Sequence, residues 1–262
     1  MSYETIKLER DGPVAVVRFN RPESYNALND KMSHDLLNVM VELRDDSAIR
    51  SVVLTGEGPA FHAGGDVKAF VSAGDDITNF VDRLVGVFHG FISKMVRLPK
   101  PVIAAVNGTA AGAGFSIAMA CDLVLAREDA VFTAAYSRIG ATPDGSMTYF
   151  LTRQLGSRRA MELYLTNRVL TAQEAREWGL VTEVLPENGF MDAVMDRARM
   201  IASGPTMAYG RAKDLFYHSF NNQLETQLEL EGVMIREATR TEDFREGTRA
   251  FVEKRPANFS GK

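Results

Sequence analysis

Apolar residues recur at helical spacing in two long stretches. In "NDKMSHDLLNVMVELRDD" (29–46), Met32, Leu36, Leu37, Met40, Val41 and Leu43 share one side, with polar residues between them, which predicts an amphipathic helix. Phe88, Phe91, Ile92, Met95 and Val96 form a second stripe, which predicts a long helix over 76–98, stopped by Pro99 and Pro101. Short β-branched runs alternate with these: "VAVVRF" (14–19), "SVVLTGEG" (51–58), "PVIAAV" (101–106), then "DLVLA" and "AVFTAA". Strand, glycine turn and helix thus recur three times in the first two-thirds of the chain. The crossovers are long enough for parallel pairing. From about residue 147 the pattern is helical except at "LVTEVL" (180–185). The expected fold class is α/β, with a core over residues 1–200 and a helical region and tail over 201–262.

Composition narrows the function classes. At 262 residues and 45% hydrophobic content the chain can bury a sizeable core. A net charge of −4 argues against a nucleic-acid partner, which calls for a basic surface. Cys121 is the single cysteine, so no intrachain disulfide can form, in keeping with a reducing compartment. The polar start "MSYETIKLERDG" lacks a secretory apolar core, and no apolar run reaches the roughly 20 residues of a membrane span. The expectation is a cytoplasmic protein with no membrane partner.

Candidate chemistry centres on "NGTAAGAGFSIAMACD" (107–122), a run rich in Gly and Ala that ends a strand and opens a helix. A P-loop needs Lys and Ser/Thr after its last glycine, and Phe115 stands there instead. The dinucleotide fingerprint matches at Gly112 and Gly114 but meets Ile117 at its third glycine. A serine-nucleophile elbow needs the serine directly off a strand, whereas Ser116 lies ten residues after Val106, inside the helix. The four histidines, at 34, 62, 89 and 218, show no metal-ligand spacing. Two readings remain: close backbone packing, or first-turn N–H groups opened to a ligand oxygen. An oxyanion site needs a second donor, and "FHAGGDVKAF" (61–70), a glycine turn before a helix starting near Asp66, is the candidate.

Together with "AREWGLVTEVLP" and "FVEKRPANF", these two segments resemble the enoyl-CoA hydratase/isomerase (crotonase) superfamily over nearly the whole chain. The resemblance implies a spiral of ββα units with a helical C-terminal trimerisation region, assembled as a homotrimer or homohexamer. It implies an acyl-CoA thioester substrate, no separate cofactor because CoA is part of the substrate, and no metal. By motif position, the N–H groups of Gly65 and Ala113 should hold the thioester oxygen. Glu23, Ser24 and Tyr25, with the backbone of Ala63, Asp66 and Val67, match positions along the CoA path. Phe251 and Lys254 match tail residues that reach its nucleotide end, often from a neighbouring subunit.

The chain departs from family hydratases at their two glutamates, which fall at Ser116 and Tyr136. Neither residue is a carboxylate, and a serine hydroxyl is too weak a base near neutral pH. Asp144, in a Pro-Asp-Gly turn, matches an aspartate carried by some isomerases and hydrolytic dehalogenases of the family. The stretch "RRAMELYLTNRVLTAQEAREWGLV" resembles the 4-chlorobenzoyl-CoA dehalogenase branch, in which a histidine at the His89 position assists hydrolysis and a tryptophan stands at the Tyr136 position. The expected function is therefore an enoyl-CoA isomerase with Asp144 as base and His89, Tyr136 and Ser116 as accessory residues. Hydratase or dehalogenase-type addition, and CoA-thioester binding without catalysis, are the alternatives.

Overall fold

The structure, a computed structural model, describes residues 3–262. The chain opens with β1 (Ile6–Asp11) and β2 (Val14–Phe19), an antiparallel hairpin turning at Gly12, and crosses through α1 (Asp30–Asp45) to β3 (Ser51–Gly56). The Asn29 side chain caps α1 by accepting the Met32 N–H at 2.9 Å. Then β4 (Ala60–His62), α2 (Val67–Ala73) and α3 (Ile77–Val96) follow, with β5 (Val102–Val106), β6 (Thr109–Ala111) and α4 (Ala113–Ala120) after them. The next unit is β7 (Leu123–Arg127), β8 (Val131–Thr133) and α5 (Met147–Leu155). After α6 (Ser157–Thr166) come β9 (Leu170–Thr171), α7 (Ala172–Glu177) and β10 (Glu183–Leu185). Four helices complete the chain: α8 (Phe190–Ala202), α9 (Thr206–Ser219), α10 (Leu224–Ala238) and α11 (Glu242–Glu253).

The long strands form one sheet, in the order β1-β2-β3-β5-β7-β10, parallel from β2 onward. The short strands form a second, in the order β4-β6-β8-β9. Three times, a strand of the first sheet is followed by one of the second and then by helix, so the chain winds as a spiral of ββα units. The family's expected α/β architecture is the one observed.

Both faces of the first sheet are buried. Val17, Leu54 and Ala104 face α1, α3 and α4, where Met32, Leu36, Phe88, Phe91 and Phe115 pack; Val16, Val53 and Ile103 face Phe190, Val194 and Ala198 of α8. Burial on both faces makes these strands read as continuous apolar runs rather than as alternation. Each fully buried Phe contributes roughly 1.5–3 kcal/mol.

Several boundaries differ from expectation. The run "LVTEVL" forms a strand only at Glu183–Leu185, and the polar segment Ile6–Asp11 is an edge strand. The short strands β4, β6 and β9 carry no pattern long enough to read. Close approach explains β4 and β6: a Cβ on Gly108 would lie 2.1 Å from the Pro59 carbonyl oxygen, so only glycine lets these backbones meet.

Candidate active site

The second sheet aims two glycine turns at each other. One leaves β4 through Gly64, whose φ is +98°; the other leaves β6 through Gly112, whose φ is +52°. Both values lie where L side chains are strained. A Cβ on Gly64 would stand 3.1 Å from the Ala111 carbonyl oxygen, and a Cβ on Gly112 would stand 3.5 Å from the Gly64 Cα. The turns are therefore in backbone contact.

Most N–H groups around this contact are spent. Ala63 donates to the Tyr25 carbonyl at 3.0 Å, Gly64 to His62 Nδ1 at 3.1 Å and Asp66 to the Leu28 carbonyl at 2.9 Å. Gly112 donates to the Thr133 carbonyl at 3.1 Å. The N–H groups of Gly65 and Ala113 have no acceptor among the described residues. Gly65 is skipped because the parallel bridge to Leu28 uses the residues on either side of it. Ala113 is skipped because it is the first residue of α4, where N–H groups lack intrahelical partners and the helix dipole favours negative charge.

A polar cluster stands beside the turns. Tyr136 approaches Gly112, whose added Cβ would lie 3.9 Å from the Tyr136 Cζ. The Tyr136 hydroxyl donates to Asp144 Oδ1 at 2.6 Å. Burial first, then the Asp144 charge and this hydrogen bond, push the Tyr136 pKa far above the usual phenol range, so the hydroxyl is a neutral donor. Ser116, fully buried in α4, gives its proton to the Asp144 backbone carbonyl at 2.9 Å. The Asp144 side chain remains 29% exposed, open to a ligand. His89 Nε2 lies 4.0 Å from Asp144 Oδ2 and accepts the Gly145 N–H at 3.3 Å. Gly145, at φ +57°, is pressed on α3: a Cβ there would sit 2.5 Å from Phe88 Cε1. Only glycine lets the turn that carries Asp144 rest there.

The structure thus brings Gly65, Ala113, Tyr136, Asp144, Ser116 and His89 into one neighbourhood. The loop of Glu23, Ser24 and Tyr25 is also joined to the first turn: Arg21 pairs with Asp66 at 3.0 Å, and buried Asn26 donates to the carbonyls of Glu57, Ala60 and Phe61. Val67 begins α2 and is exposed beside this loop's partner Asp66. Phe251, 86% exposed, and Lys254 stand at the end of α11, and no hydrogen bond, ion pair or ring contact joins them to the other residues named. Arg21, Asn26 and His62 were not anticipated. The signal for His62 was a histidine ending the otherwise apolar "AFH" before the glycines.

A cavity of about 970 Å³ lies beside this cluster. His89, Ser146, Tyr149 and Phe150 are on its wall, whereas Gly65, Ala113 and Asp144 are not. Among the described residues no three His, Cys, Asp or Glu side chains are grouped to hold a metal ion.

Comparison with known proteins matches the chain to a family model. The model described as enoyl-CoA hydratase/isomerase matches residues 9–262. The chain is 39% identical to a probable enoyl-CoA hydratase of Rhodobacter capsulatus, over all of both chains. It is 38% identical to the 1,2-epoxyphenylacetyl-CoA isomerase of Escherichia coli, over 95% of each. The crystal structure of an enoyl-CoA hydratase from a Polaromonas species superposes with a TM-score of 0.93 at 32% identity, covering 97% of this chain and 99% of that one. The chain, with its two facing glycine turns, belongs to the enoyl-CoA hydratase/isomerase family.

Proposed function

We propose that this family member is an enoyl-CoA isomerase. One observation carries the reading: two unpaired N–H groups, on turns in contact, stand beside the accessible Asp144 carboxylate. In the proposed reaction the Asp144 carboxylate takes a proton from C2 of a 3-enoyl thioester. The C–H electron pair moves into the carbonyl, and the Gly65 and Ala113 N–H groups hold the resulting oxyanion. Protonated Asp144 then returns the proton at C4, giving the 2-enoyl thioester with no atom gained or lost. Each such donor is worth about 3–4 kcal/mol to the transition state. The proton shuttle adds roughly 10²–10⁴-fold in rate.

Addition of water fits this site less well. The positions that match the hydratase glutamates hold Ser116 and Tyr136, whose hydroxyl protons are committed to Asp144. His89 Nε2 accepts the Gly145 N–H and so helps to hold the turn that carries Asp144. The proposal includes CoA entering as part of the substrate, with no separate cofactor, and a cytoplasmic homotrimer or homohexamer.

The test is a screen of 2-enoyl-, 3-enoyl- and aryl-CoA substrates by absorbance and mass. Conversion of a 3-enoyl thioester at unchanged mass is expected. Gain of water, loss of halide, or binding without turnover would each replace the isomerase reading.

A further inference from the structure

The strand that feeds the first glycine turn ends in a histidine that the proposed chemistry does not use. His62 closes β4, and its fully buried ring stands edge-on to Phe19, with centroids 5.2 Å apart. Its Nδ1 accepts the Gly64 N–H at 3.1 Å, which places the ring proton on Nε2. Nε2 is buried and has no hydrogen-bond partner among the described residues. Burial, aided by the nearby Arg21 charge, holds the His62 pKa down to about 3, so the ring stays neutral at ordinary working pH.

A buried donor with no partner is costly, and an apolar side chain of similar bulk would avoid that cost. The acceptor atom is what an apolar residue would lack. His62 also touches the second turn: a Cβ on Gly114 would lie 2.0 Å from the His62 carbonyl oxygen and 2.8 Å from its Cβ. The first turn of α4 therefore rests on His62, while its imidazole holds the peptide at Gly64. The left-handed φ of +98° at Gly64 lies between that anchored peptide and the next one, which carries the free Gly65 N–H.

We propose that His62 is the positioning residue of the thioester cradle. Its Nδ1 secures the Gly64 peptide, so that the Gly65 N–H stays unpaired and aimed at the substrate oxygen. The role assigned to His62 rests on the reading of Gly65 and Ala113 as the oxygen donors.

Two variants separate positioning from packing. His62→Asn retains an acceptor near the Nδ1 position but loses bulk. His62→Leu retains bulk but has no acceptor. With a turned-over enoyl-CoA, kcat should fall on the order of 10²-fold for His62→Leu, since small misplacement of a reacting group costs that much. KM should change little, and His62→Asn should stay within about tenfold of the parent. A packing role predicts the reverse order, with kcat following Tm, and that result would overturn the proposal. Hydrogen exchange at the Gly64 amide gives a reading independent of any substrate. Faster exchange in His62→Leu than in His62→Asn supports the anchor even if the acyl-CoA reading fails. Equal exchange in parent and both variants overturns it.

Discussion

Asp144 and Ser116 touch, yet the chemistry separates them. The Ser116 hydroxyl is consumed in holding the Asp144 backbone carbonyl, at 2.9 Å. The Asp144 carboxylate keeps one oxygen on Tyr136 and leaves the rest of the group open. Asp144→Asn preserves shape and removes the base, so kcat on an enoyl-CoA should drop by about 10²–10⁴-fold with little change in binding. Ser116→Ala removes one neutral hydrogen bond, worth ~1 kcal/mol, and should cost under about tenfold. Steady-state kinetics on the two variants checks the ranking. An inactive Ser116→Ala beside an active Asp144→Asn would transfer the chemistry to Ser116. The sequence marked both positions by motif. That they share one hydrogen-bonded cluster with Tyr136 was not legible, because 20 residues separate Ser116 from Tyr136 and 28 separate it from Asp144.

Among the elements, α4 combines a packing role with the proposed binding role. All eight of its residues, Ala113–Ala120, are buried, so the small side chains serve close packing as well as an open N-terminus. The backbone approaches that exclude larger side chains also bring the two turns into contact, as the proposed oxygen-binding role requires. Gly114 makes this testable, since its added Cβ would meet the His62 carbonyl oxygen at 2.0 Å. Gly114→Ala must push α4 off β4. Overpacking of this kind costs about 1–3 kcal/mol, seen as a lower denaturation midpoint. Turnover should fall further than stability alone explains, because the Ala113 N–H moves with the helix. An unchanged kcat in a folded Gly114→Ala protein would show that the spacing of the turns does not govern the chemistry. The helices α1 and α3 were readable from their apolar stripes to within a few residues. The strands β4, β6 and β9 were not, since two or three residues carry no period.

At the scale of the whole molecule, α9 and α10 leave Phe216, Phe220, Leu224 and Leu228 exposed. Exposed apolar residues of this size on the last third of the chain suit the proposed assembly, which would cover them. With the family's expected assembly, the mass in light scattering should be three or six times 28.9 kDa, and a 28.9 kDa species at micromolar concentration would contradict this. Phe251 and Lys254, exposed at the end of α11, belong to the same question. Among the described residues no hydrogen bond, ion pair or ring contact joins them to the other predicted site residues, which suits the proposed reach toward CoA from a neighbouring subunit. Among the described residues no helix is long and apolar enough to cross a membrane. The apolar periods, the glycines before two helices and the lone aspartate in its turn were present in the chain as local facts. They specify the α/β class, the family and the residue types of the site, because helix period, strand burial and left-handed turns are set within a few residues. The tertiary structure decided which backbone N–H groups stay unpaired, which hydroxyls Asp144 engages and that a buried His62 underlies both turns. Those outcomes depend on distances between strands and helices far apart in sequence, which the crossovers of the spiral bring together and no local pattern encodes.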